Sequence, residues 1–113
     1  MPKKVRKKLV KILFNEAKIR KALKQQGTSN VFIPKLGEVE RADEWIEIIE
    51  KSRSLFSRDK NLIYLRYYRH MSWTRLSCEV DRSVKTIFEH CDKFLVDLGL
   101  RATTRKLISY DEE

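Results

Sequence analysis

The segment Arg82-Ser83-Val84-Lys85-Thr86-Ile87-Phe88-Glu89-His90 gathers side chains suited to polyanion and base-edge chemistry. Ser83 is a helix-capping hydroxyl, and the free N–H groups of the helical turn that follows it are aimed at an anionic oxygen. Ile87 and Cys91, four residues apart, take the inward side by spacing, which turns Val84, Lys85, Phe88 and Glu89 outward. Lys85 suits a guanine edge or a phosphate, Glu89 a cytosine amine, and Val84 and Phe88 a thymine methyl. These four are the candidate base-reading residues. Ser72, Thr74, Arg75, Arg82 and Ser83 sit near two helix starts and are the candidate phosphate contacts.

Positioning such a set requires two short helices and a tight turn. Trp73, Leu76 and Val80 form one apolar stripe at helical spacing; Ile87, Cys91, Phe94 and Leu95 form a second. Asp81-Arg82-Ser83 separates them, and Ser72 and Ser83 are the caps. A helix-turn-helix results. The turn needs one residue at positive φ, a place glycine usually takes; here it falls on Asp81, and aspartate tolerates that region.

The rest of the chain reads as support. Residues 1–37 are a basic amphipathic helix and a linker. Lys3, Lys4, Arg6, Lys7, Lys8, Lys11, Lys18, Arg20, Lys21 and Lys24 stand there against one acid, Glu16. The stripe Val5, Leu9, Ile12, Leu13, Glu16/Ala17, Arg20, Leu23 predicts one helix stopped by Gly27, its first eight residues disordered. Its basic face has three readings: solvated charge above a self-packed helix, added nucleic-acid contact, or membrane contact. Residues 27–37 form a linker pinned to the core by Val31-Phe32-Ile33, and a strand there would lack a partner.

Residues 38–100 are the helix-turn-helix domain. It begins with an acidic helix anchored by Trp45, whose face has two readings, an intramolecular cover for the basic helix or a docking face for another protein, the first being expected. Ser57 is expected to cap the next helix, and Tyr64, Tyr67 and Tyr68, followed by Arg69-His70, to wedge between helices, with stacking on bases as the alternative. Residues 101–113 read as a frayed tail, acidic at Asp111 to Glu113. The expected fold is all-α.

The 113 residues carry 25 Lys+Arg against 16 Asp+Glu, a net charge of +9 that favours a polyanionic partner. The two cysteines, Cys78 and Cys91, both fall on the inward stripes, so neither a disulfide framework nor a zinc site is expected. The start MPKKVRKKLVKILF has a basic flank, but Leu9 to Phe14 is too short for a signal-peptide core and Lys11 interrupts it. A cytoplasmic, nucleoid-associated protein without a membrane partner is the expectation. Neither a glycine-rich phosphate loop nor a serine elbow is present, and Glu89, His90 and Asp92 project to different sides of a helix. Neither catalysis nor a cofactor is expected.

The stretch LIYLRYYRHMSWTRLSCEVDRSVKTIFEHCDKFL resembles the helix-turn-helix of sigma-70 region 4 and its bacteriophage-type relatives. The resemblance rests on Ile63-Tyr64-Leu65-Arg66-Tyr67, the Ser72 cap, Leu76 and Val80, the Ser83 cap, and Ile87 and Leu95. The Trp45 helix, Ser57-Arg58-Asp59, Ser72-Trp73 and the start Arg82 to Thr86 are similar to small bacterial and phage-associated helix-turn-helix proteins. Together these cover Ala42 to Leu98, about half the chain. The resemblance implies that the second helix enters a major groove while the first buttresses it. Two features depart from it: Val84, Phe88, Glu89 and Asp92 stand where such helices are richer in arginine, and no region for a promoter element or a polymerase clamp is recognisable.

The function expected is sequence-specific binding of double-stranded DNA by a small, phage-type transcriptional regulator. The alternative is a protein-interaction or assembly module carrying a helix-turn-helix, such as a polymerase-associated factor or a DNA-packaging subunit. Candidate partners are duplex DNA, RNA polymerase and a second copy of the chain. The surfaces open to a dimer are the Phe94-Leu95-Leu98-Leu100 end and the N-terminal helix.

Overall fold

The computed structural model describes residues 1–109, and the acidic run Asp111 to Glu113 lies outside them. The fold is all-α, and the described residues form six helices and one small antiparallel hairpin. In chain order these are α1 (Lys3–Phe14), α2 (Glu16–Gln26), β1 (Val31–Ile33), β2 (Gly37–Val39), α3 (Ala42–Leu55), α4 (Lys60–Ile63), α5 (Trp73–Val80) and α6 (Val84–Thr104). A 3-10 turn (Ser57–Asp59) precedes α4, and a π-helical turn (Tyr64–Tyr68) follows it.

The basic N-terminal segment is two helices, not one. Asn15 ends α1 by donating its amide Nδ2 to the Lys11 carbonyl at 2.8 Å, while its own carbonyl accepts from Ile19 N–H at 2.9 Å and starts α2. Such local bonds compete with helix continuation, yet the apolar period runs on across the break and hides it. Val5, Leu9, Ile12 and Leu13 are buried, so the expected disorder of the first eight residues is corrected to an ordered helix from Lys3. Gly27, at φ 66°, closes α2 as predicted.

Glu16, the lone acid, is buried at the start of α2. Its carboxylate accepts from Arg20 Nε at 2.9 Å and from Arg53 Nη1 at 2.8 Å, with a second, shorter contact from Arg53 Nη2. It therefore ties α2 to α3.

The expected linker is a hairpin, and the strand has a partner. Val31 pairs with Val39, Phe32 with Glu38 and Ile33 with Gly37. Val31, Ile33 and Val39 point into the core, while Phe32 stays exposed. The Gln26 side chain supplies a strand-like neighbour on the other edge, accepting from Phe32 N–H and donating to its carbonyl, both at 3.2 Å.

Helix α3 buries Trp45, Ile48 and Ile49 against Phe94, Leu95, Leu98 and Ala102 of α6. The Phe94-Leu95-Leu98 end proposed for a dimer is therefore core, and only Leu100 of that set remains on the surface. Spacing alone does not distinguish a seam between copies from a seam within one chain. The acidic face of α3 is used intramolecularly, but among the described residues only Glu50 of that face pairs with the basic segment, accepting from Arg20 at 2.9 Å. Glu44 pairs with Arg41, and Glu47 with Arg105 at 2.8 Å and Lys51 at 3.2 Å.

These pairs correct the frayed-tail expectation. Helix α6 continues to Thr104, and Lys106 at φ 59° closes it, with Leu107 N–H bonded to the Ala102 carbonyl at 2.8 Å. Ile108 is buried, and Arg41 donates to the carbonyls of Arg105 and Lys106 at 2.9 and 3.3 Å. The hydrogen bond from Arg105 holds the Glu47 carboxyl down at about 2, against an ordinary 4.5. A carboxyl depressed in the folded state stabilises it above the unfolded value and loses that contribution as pH falls through the folded one. Melting temperature should therefore drop between pH 4.5 and about 2, and the Arg105→Gln variant should show a smaller drop across that window. Parallel acid titrations of the two proteins would contradict the assignment.

Candidate nucleic-acid interface

The helix-turn-helix forms as read. Ser72 Oγ accepts from Arg75 N–H, and Ser83 Oγ from Thr86 N–H, each at 3.2 Å. Asp81 occupies the left-handed region at φ 52°, ψ 50°. Arg82 N–H bonds the Ser77 carbonyl at 3.2 Å, and Ser77 Oγ donates to the Arg82 carbonyl, so Ser77 locks the turn from both sides. Leu76 of α5 packs against Ile87 and Cys91 of α6 within one buried core. Cys91 is fully buried and its thiol is pushed up to about 12 by desolvation. Cys78, expected on the inward stripe, is exposed on α5 instead. Eight residues make only two turns, and Trp73, Leu76 and Val80 already occupy the inner face.

The nine site residues lie at two neighbouring helix starts. Ser72, Thr74 and Arg75 are exposed at the start of α5, and Arg82, Ser83, Val84 and Lys85 at the start of α6. Phe88 and Glu89 are exposed one turn further on. Among the described residues, Arg75, Arg82, Lys85 and Glu89 take part in no ion pair. Ser83 Oγ also donates to Thr86 Oγ1 at 2.9 Å, whereas Ser72 Oγ only accepts its cap bond and keeps its O–H to donate to an anion.

Phe88 differs from its three companions. Its ring lies 5.3 Å from that of Trp73, tilted by 60°, and the Arg6 guanidinium sits 5.7 Å above it. It remains 41% exposed, so it is part hinge between α1, α5 and α6 and part surface. Arg6 also forms an ion pair with Asp92. This removes one of the two acids that set the stretch apart from arginine-rich recognition helices, and it fixes α1 beside α6. Arg6 thus supports the candidate interface, a role that pattern reading missed; its place beside Val5 in the apolar stripe is the available signal.

Arg66 is another such support. The π-helical turn places its guanidinium 4.0 Å from the Trp73 ring centre, 5.5 Å from Phe14 and 6.0 Å from Tyr67. Its Nη1 donates to the Met71 carbonyl at 2.8 Å, while the buried Nε has no partner. Arg66 thus joins α1 and the π-helical turn to the start of α5. The three tyrosines divide: Tyr67 is a buried wedge, whereas Tyr64 and Tyr68 stack on each other at 5.1 Å and stay exposed. Ser57 does not cap α4; a 3-10 turn takes its place, held by Asp59 against His90 Nδ1 at 3.1 Å.

No family model, curated protein or solved structure matches the chain. Among the described residues, no helix is long and apolar enough to cross a membrane.

Proposed function

We propose that the protein binds double-stranded DNA through α5 and α6, as a small sequence-specific regulator of the sigma-70 region 4-like kind. The observation that carries this reading is the convergence of two capped helix starts bearing Arg75, Arg82 and Lys85, none of them neutralised by a carboxylate of the described chain. Helix α6 enters the major groove by its first two turns, which carry Val84, Lys85, Phe88 and Glu89. Its last three turns anchor it to α3, so the reading end is held rigidly. Helix α5, braced by Arg66 and Trp73, crosses the backbone.

Lys85→Ala should weaken binding to a selected site by about 1–3 kcal/mol, and binding to random duplex by less. Selection of duplexes from a random pool at two salt concentrations tests the whole reading. An enriched sequence and a steep fall of affinity with salt are expected. The absence of both would remove DNA binding as the function.

A second reading, docking to a protein such as RNA polymerase or to a second copy, has one observation in its favour. The stacked, exposed Tyr64–Tyr68 pair is an aromatic surface of the kind interfaces favour.

A further inference from the structure

On the far side of α1 lies a groove of about 600 Å³, between α1, the hairpin, the start of α3 and the segment after α6. Lys4, Lys7, Lys8 and Lys11 line one wall, and Lys106 stands at the end of α6. Half-buried Leu36 and Leu107 supply an apolar floor, with the buried Trp45 beneath it. Its volume falls within the range of small-molecule sites, which combine an apolar surface with a few convergent polar groups. Arg41 also lines the groove, but its guanidinium is committed to Glu44 and to two carbonyls. The five lysines have no ion-pair partner among the described residues, and the only acids on the rim are Glu38 and Glu40.

The electrostatics of α1 are unfavourable without an anion. The helix contains no acidic residue, so its first turn opposes the helix dipole. Each of Lys4, Lys7, Lys8 and Lys11 stands three or four residues from two of the others, at the spacing where like charges repel. A ligand with several phosphate charges relieves this, and one with a flat apolar body also covers the floor. Arg6, which faces α6, and Lys8, which lines the groove, are two residues apart and so about 200° apart around the helix. The groove and the helix-turn-helix therefore flank α1 on different sides.

We propose that this groove binds a nucleoside oligophosphate, its phosphates along the lysine wall and its base on the Leu36–Leu107 floor. The site is separate from the DNA-reading surface and does not depend on that function. The full chain would be titrated with metal-free adenosine triphosphate, and separately with inorganic tripolyphosphate, at constant ionic strength. Thermal unfolding is followed by tryptophan fluorescence. The nucleotide should raise Tm saturably and by more than tripolyphosphate does. The double variant Lys8→Glu, Lys11→Glu should weaken the apparent affinity about tenfold or more, as loss of a charged hydrogen bond implies. Lys106→Asn, on a different element, should weaken it in the same direction, and Lys85→Ala should leave the response unchanged. No rise beyond that of salt, an equal rise with tripolyphosphate, an unaltered response in the Lys8/Lys11 variant, or a lost response in Lys85→Ala would each overturn the proposal.

Discussion

Glu16→Gln should lower the unfolding free energy by about 2–3 kcal/mol. Glu16 is 1% exposed and accepts from two guanidiniums, so its neutral replacement leaves Arg20 and Arg53 facing an amide. Removing one partner of a buried pair commonly costs about 3–5 kcal/mol. The lower figure follows from the arginines, whose side chains are 39% and 30% exposed and regain some hydration, and from Glu50, which still holds Arg20. Urea unfolding of both proteins measures the difference, and a loss below about 1 kcal/mol would contradict the role given to this acid. Replacing the ion pair with Glu16→Leu and Arg53→Met together should recover much of the loss, because the apolar pair leaves no uncompensated charge.

Arg66→Ala should cost about 3 kcal/mol and should act on the helix-turn-helix as well as on stability. The side chain combines a flat contact with Trp73 at 4.0 Å and a charged hydrogen bond to the Met71 carbonyl at 2.8 Å. A desolvated cation–π contact contributes up to about 2 kcal/mol, and a hydrogen bond from a charged donor about 1.5–3. Arg66→Lys should recover only part of this, since a single ammonium cannot lie flat on the indole and bond to the carbonyl at once. Trp73 fluorescence reports the local change, and duplex affinity reports the displacement of α5. An Arg66→Ala protein with unchanged stability and emission would show that α5 is held by its apolar contacts alone.

These two arginine centres also mark where sequence reading stops. The capped pair of helices was legible because its determinants are local: Ser72 and Ser83 bond to N–H groups three residues on, and Asp81 turns the chain by its own φ. The apolar stripes correctly placed Trp45, Leu76, Ile87 and Phe94 inside, since a helix shows one face to the core whatever the partner. The break at Asn15 was not legible, because helical period continues through it. The partner of β1 was missed because Gly37–Val39 is three residues long and carries too little pattern to read as a strand.

Pairing over long separations was decided only by the tertiary structure. Arg6 finds Asp92, Glu16 finds Arg53 and Glu47 finds Arg105, and each match depends on which helix faces pack together. The same packing buries the Phe94–Leu98 end that spacing left open as a surface, and it lines up four lysines of α1 opposite Lys106. What the sequence by itself determined is the all-α class, the capped helix pair, the apolar inner faces, and the residues turned outward at the two helix starts. The fold decided which of those charges remain free to meet an anion, because a charge is free or spent according to a neighbour that lies far away in the chain.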